Sequence, residues 1–127
     1  MKAHAVVLSI RPSHLDMFFD NKEYIFYRNH KFYRKFEKIY IYGTKPIYKL
    51  VGEIRVGRVI YDNKDRLWEI TKEKSIIAKE DFDEFFANKN KAYAIKVINT
   101  IKYDKLKDLS EIDPKIKPPR RFCYAKF

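Results

Sequence analysis

The apolar and polar positions of the chain repeat with strand spacing in some stretches and helix spacing in others. Ala5 to Ile10 (AVVLSI) is an apolar, β-branched run that reads as a central strand. The following RPSHLDMFF reads as a short helix. Pro12 bars helix upstream, Ser13 and Asp16 have capping-box spacing, and Leu15, Phe18 and Phe19 form a core stripe. Asp20-Asn21 makes a turn into a strand from about Glu23 to Arg28, where alternation sets Tyr24, Phe26 and Arg28 on one face and Glu23, Ile25 and Tyr27 on the other. Lys38 to Tyr42 (KIYIY) alternates again, with Ile39 and Ile41 opposite Lys38, Tyr40 and Tyr42. Gly43 breaks this strand, and TKPIYKL reads as a single helical turn with Pro46 near its start. Residues 50–62 read as one long strand, in which Gly52 and Gly57 suggest bulges or barrel corners rather than flat sheet.

Residues 63–74 are polar around Leu67, Trp68 and Ile70 and show no decisive period. Ser75 to Asn88 reads as a helix, with Phe82, Phe85 and Phe86 on one side among Glu80, Asp81, Asp83 and Glu84. A strand over 91–103, a short helical piece at DKLKDLSEI, a proline-rich connector at DPKIKPP and a last strand at RRFCYAKF complete the chain. The order is β, α, then mainly β, which predicts one α+β domain over residues 1–127: a small, partly closed β-barrel with short helices plugging or flanking it.

Charge changes the picture more than any other bulk property. Twenty-eight Lys and Arg face 17 Asp and Glu, a net +11 that favours phosphate backbones or other polyanions as partners. Aromatic residues make up 17% of the chain and are interleaved with the cations, as in FYRNHKFYRKF at 26–36. A single-stranded nucleic acid site needs both kinds of residue, cations for phosphates and rings for bases. Cys123 is the one cysteine, which excludes an intramolecular disulfide, and it reads as a small buried hydrophobe near a strand end. No stretch approaches the ~20 apolar residues of a membrane span. No signal-peptide pattern opens the sequence, so a soluble cytoplasmic protein without membrane contact is the expectation.

Candidate chemistry is sparse. His4, His14 and His30 have no spacing that places two ligands on one face, so no metal site is expected, and nothing implies a cofactor. Phosphate-loop, dinucleotide and nucleophile-elbow motifs do not occur. The acidic DFDE run at 81–84 suits an exposed helix face. The remaining candidates are cations and rings that strand parity can gather: Arg11 after the first strand, Arg28 at the end of the second, and Tyr42, Thr44 and Lys45 beside a glycine that permits close backbone approach. Each also has a plain structural role open to it, with Glu53 as a carboxylate partner for an arginine, Thr44 as an N-cap and Tyr42 as core filler. Trp68, the one tryptophan, is either core packing or a platform for a base.

The stretch VVLSIRPSHLDMFFDNKEYIFYR resembles the opening of an ASCH domain, a relative of the PUA fold. IYIYGTKPIYKLVGEIRVGRVI and PPRRFCY resemble later segments of that family. The resemblance implies a small β-barrel with a basic cleft for RNA, and in some members hydrolysis of a modified cytidine or of RNA. The family's G-x-K-x-x-E-x-R pattern falls on Asn21, Glu23, Phe26 and Arg28, so a carboxylate stands where the amidohydrolase members have their lysine. An acid does not replace an amine of tunable pKa. Lys22 lies one position away, and a one-residue shift on a strand points it to the other face.

The expectation is a nucleic-acid-binding module, RNA before DNA, with room to read a modified nucleotide. Arg11, Arg28, Lys45 and Arg120 would contact phosphates or a base edge, Phe26, Tyr42 and Trp68 would stack, and Thr44 would line the cleft. DNA stays open as a partner, although the fold offers no helix for the major groove. Two rivals are kept: a hydrolase built on Lys22, Thr44 and Glu53, and a protein-interaction module of a transcription or translation regulator. The sequence leaves the oligomeric state open.

Overall fold

A computed structural model of the chain describes residues 4–29, 35–119 and 122–126. Among these residues six strands form one mixed sheet: β1 (His4–Ile10), β2 (Tyr24–Arg28), β3 (Phe36–Gly43), β4 (Lys49–Asn63), β5 (Lys91–Lys107) and β6 (Phe122–Lys126). Their order across the sheet is β2-β5-β4-β3-β1-β6. The β1–β3 pair is parallel, with Val6 beside Ile39 and Leu8 beside Ile41, and the other pairs are antiparallel. Three α-helices accompany them among the described residues: α1 (Leu15–Phe19), α2 (Lys64–Thr71) and α3 (Lys79–Phe85).

The sheet is rolled. Four strand steps separate β2 from β1, ~19 Å in a flat sheet at the usual spacing, yet Ile10 of β1 and Phe26 of β2 line a common hollow. Three of the register shifts fall between β4 and β5, at Leu50/Gly52, at Arg55/Val56 and at Val56/Arg58, which are the bulges that Gly52 and Gly57 imply. At Gly52 the reason is space: a Cβ there would stand 2.5 Å from the Phe19 ring and from the Ile101 carbonyl oxygen.

Three apolar clusters result. The inner one fills the roll with Val6, Leu8, Tyr24, Phe26, Ile39, Ile41, Ile54 and Val97, and Leu15, Phe18 and Phe19 of α1 plug it. Two more cover the outer face. One joins Ala5, Val7, Tyr40, Tyr42 and Leu50 to Leu109 of the C-terminal segment. The other joins Ile25, Tyr27, Ala92 and Ala94 to Leu67, Phe82 and Phe86 of α2 and α3. The alternation expected in KIYIY is therefore observed, with isoleucines inward and tyrosines outward. This α+β, barrel-like architecture with plugging and flanking helices is the one the strand pattern predicts.

Several local expectations are corrected. Ser13 does not cap: His14 is the N-cap of α1 and its side chain makes no capping bond. TKPIYKL is not helical. Ile47 N–H donates to the Thr44 carbonyl in a turn that holds a cis Lys45–Pro46 peptide, and Tyr48 at φ 52 leaves the helical region. The undecided 63–74 stretch contains α2, whose first turn is capped where Asn63 Oδ1 accepts from Arg66 N–H at 2.9 Å. The helix read over 75–88 spans only Lys79–Phe85, and Phe85 departs from its stripe, being 48% exposed while Phe82 and Phe86 are buried. At DKLKDLSEI the strand runs on to Lys107, and only Leu109–Glu111 turns, as a 3-10 piece with an Asp108/Glu111 capping box. No helix among the described residues is long and apolar enough to cross a membrane.

Candidate nucleic-acid interface

The hollow at the end of the roll measures about 290 Å3 and is walled by strands, α1, α3 and the segment before α3. Phe26 and Arg28 come from alternate positions of β2, Ile10 from the end of β1, His14, Met17 and Phe18 from the α1 region, and Asp81 and Phe85 from α3. Ile76 and Ile77 close the remaining side. Their placement is backbone work. Ile76 N–H donates to the Ile25 carbonyl at 2.8 Å, and Ser75 Oγ both donates to the Ile77 carbonyl at 2.7 Å and accepts from Ile77 N–H at 3.2 Å.

The floor is rigid and apolar. Phe26 is 4% exposed and meets Phe18 edge-on at 5.4 Å between ring centroids. Tyr24, on the same face, donates its hydroxyl to the Phe18 carbonyl at 2.8 Å and so ties α1 to β2. Burial pushes the Tyr24 phenol well above its usual range. Phe26 is thus part of the buried floor, and the exposed ring lining the hollow belongs to Phe85. Arg28 is half-buried at the wall, facing the same space as Asp81. Two further cations stand beside the β1 end of the hollow. Arg11 is exposed and directly follows Ile10, and Lys45 is exposed on the turn that Thr44 N–H fastens to the Ile10 carbonyl at 3.0 Å.

Other sequence candidates lie elsewhere. Tyr42 is buried in the outer cluster with Val7 and Leu50, on the face away from Phe26. Trp68 packs on the third cluster, 5.0 Å from Phe82 and 6.4 Å from Tyr27, with the Lys79 ammonium over its ring at 5.7 Å. Both rings hold the fold together instead of lining the hollow. Arg120 and His30 lie outside the described residues.

The hydrolase set is not gathered at one place. Lys22 Nζ donates to the Thr100 carbonyl, and Thr44 sits in the β1–turn junction. Glu53 accepts from the Tyr103 hydroxyl at 2.7 Å and lies 3.7 Å from Lys38, on the outer face. No group of three or more metal-ligating side chains occurs among the described residues. His14, Met17, Ile76, Ile77, Asp81 and Phe85 line the hollow although the sequence places none of them in the cleft. For Ile76 and Ile77 the local signal is an apolar pair before an acidic helix, and the contact between residues 25 and 76 leaves no trace in either stretch.

Comparison with known proteins agrees with this architecture. Residues 3–114 match the family described as "Domain of unknown function (DUF365)". Among curated proteins the chain is 31% identical over 123 residues to large ribosomal subunit protein uL22 of Ureaplasma parvum serovar 3, covering 95% of this chain and 39% of that protein. It is 27% identical over 128 residues to ATP synthase subunit alpha of the same organism, covering 99% of this chain and 16% of that one. The chain thus spans well under half the length of either relative. Among solved structures, ASCH from Zymomonas mobilis superposes with a TM-score of 0.76 at 18% identity, over 94% of this chain and 86% of that one. A serine-to-alanine variant of the same protein gives a TM-score of 0.76 over 94% and 87%. The match over residues 3–114 places the chain in the DUF365 family, and the superposition gives that domain the fold of the ASCH protein.

Proposed function

We propose that this domain binds RNA, holding an unpaired base in the hollow beside Arg28 and the adjoining phosphates on Arg28, Arg11 and Lys45. The observation that carries the reading is that Phe26 and Arg28 open onto one apolar hollow of about 290 Å3 in a chain of net charge +11. That volume is at the small end of the ~300–1,000 Å3 typical of ligand pockets, which suits one flat base and not a polymer. Apolar walls favour the base, and a guanidinium at the rim favours phosphate or a base edge. One relative is by name a ribosomal protein, which supports an RNA setting. The match to part of an ATP synthase subunit supports a module that recurs in unlike host chains. The hydrolase reading has less support, since Lys22, Thr44 and Glu53 do not converge on the hollow.

Fluorescence anisotropy with labelled single-stranded RNA tests the proposal. Three phosphate contacts on a single strand give a slope of log K against log salt of about −2. Arg28→Ala should weaken binding about tenfold and flatten that slope by about 0.7. Phe85→Ala should weaken binding without unfolding the domain, because that ring is half out of the core. Duplex RNA should bind less well, since its bases are not free to enter. No affinity at low salt, or affinity unchanged in Arg28→Ala combined with Arg11→Ala, overturns the reading. Equal affinity for an acidic protein and for single-stranded RNA would instead mark a protein-docking surface.

A further inference from the structure

The outer face of the sheet carries a second concavity, of about 410 Å3, walled by Lys38, Tyr40, Glu53, Tyr103, Lys107 and Ile112. It is separate from the hollow beside Arg28: Tyr40 and Tyr103 belong to the cluster under the C-terminal segment, on the face opposite the inner core. Glu111 also borders it, but one of its carboxylate oxygens accepts from Asp108 N–H at 2.6 Å and is committed to the 3-10 turn.

Glu53 is the group with capacity to spare. Its side chain is 19% exposed, Oε2 accepts from Tyr103 at 2.7 Å, and Oε1 meets Lys38 only at 3.7 Å, beyond hydrogen-bond length. An ionised carboxylate offers about four lone-pair sites, so acceptor positions remain toward the pocket. The tyrosine rings are flat walls, each covered by an ammonium: Lys107 lies 4.4 Å from the Tyr103 centroid, and Lys38 lies 5.3 Å from that of Tyr40. Lys107 is exposed and on a flexible stem, so it can leave the ring. An exposed ammonium–ring contact is weaker than a stacked base, and the displaced ammonium is then free for a phosphate. An acceptor carboxylate, a ring face and a movable cation within one pocket are complementary to three parts of a single molecule.

We propose that this pocket binds a mononucleotide whose base carries an exocyclic amino group. The amino group donates to Glu53, the base lies on Tyr103, and Lys107 swings to the phosphate. The site is independent of the RNA reading of the inner hollow.

Isothermal titration of the full chain with AMP and with purine riboside 5′-monophosphate, which differs only in lacking the amino group, tests this. AMP should bind about tenfold more tightly, the discrimination expected of one good charge-assisted amino contact. Glu53→Gln should collapse that ratio toward one, and Lys107→Ala, at an exposed position, should weaken both nucleotides alike. Arg28→Ala should leave both affinities unchanged, whereas it should weaken RNA binding about tenfold, so the two sites fail separately. No saturable AMP binding, equal affinity for the two nucleotides, or a ratio that survives Glu53→Gln overturns the assignment.

Discussion

Gly52 and Gly57 sit five residues apart on β4, both at bulges and neither at positive φ, so the same alanine substitution isolates what the new methyl meets. At Gly52 it would stand 2.5 Å from the Ile101 backbone oxygen and from two atoms of the Phe19 ring. The carbonyl belongs to the β5 ladder, and the ring belongs to the helix that plugs the roll, so neither can yield alone. Overpacking of this kind costs ~1–3 kcal/mol, and a rigid backbone contact argues for ~2 kcal/mol after the gain from a stiffer unfolded chain. For a domain of this size that is a fall in Tm of about 8 °C. At Gly57 the methyl would meet Ile98 Cγ2 at 2.6 Å, and Ile98 is 41% exposed with room to change rotamer. Gly57→Ala should therefore change stability by less than ~0.5 kcal/mol in either direction, because rotamer adjustment and the unfolded-state gain offset each other. Calorimetric melts of both variants against the parent decide it. If Gly57→Ala destabilises as much as Gly52→Ala, the distinction between backbone and side-chain neighbours is wrong.

Two further outcomes follow from named contacts. Thr71 Oγ donates to the Leu67 carbonyl at 2.7 Å, so the 2.7 Å Tyr27–Thr71 bond has the tyrosine as donor. Thr71→Val should then cost ~1–3 kcal/mol by orphaning a buried phenol, more than the ~0.5–1.5 kcal/mol of Tyr27→Phe, which takes away donor and need together; urea titration ranks them. The Tyr24 and Tyr103 phenols are both raised above their ordinary 10.0, Tyr24 by burial and Tyr103 by burial and then by its bond to Glu53. A raised folded-state value means stability is full below pH 10 and is lost as pH climbs past it. Melts from pH 8 to 11.5 should show Tm falling above pH 10, and Tyr24→Phe should lessen that fall; a flat profile counts against the burial of these phenols.

The local sequence determined a good deal of this molecule. Apolar runs and alternation gave the strands, glycine spacing gave the bulges of β4, and the Phe18 stripe gave a plugging helix, because each depends on neighbours within a few residues. The basic charge pointed to a polyanion without placing it. Parity also grouped Phe26 with Arg28 and separated isoleucines from tyrosines in β3. It did not say which face lies inside the roll. In β1, β2 and β3 apolar residues cover both faces, one toward the inner cluster and one toward an outer cluster, so hydrophobicity alone does not distinguish them. For that reason Tyr42, grouped by chemistry with Arg28, belongs to another packing surface, and Trp68 of α2 packs on the cluster under α2 and α3. Only the rolled sheet brings Ile10, Ile76 and Phe85 to the same hollow as Arg28, and sets Glu53, Tyr103 and Lys107 around a pocket on the far side. Those meetings join residues tens of positions apart, and what fixes them is the order and curvature of the strands, which no short stretch of chain encodes.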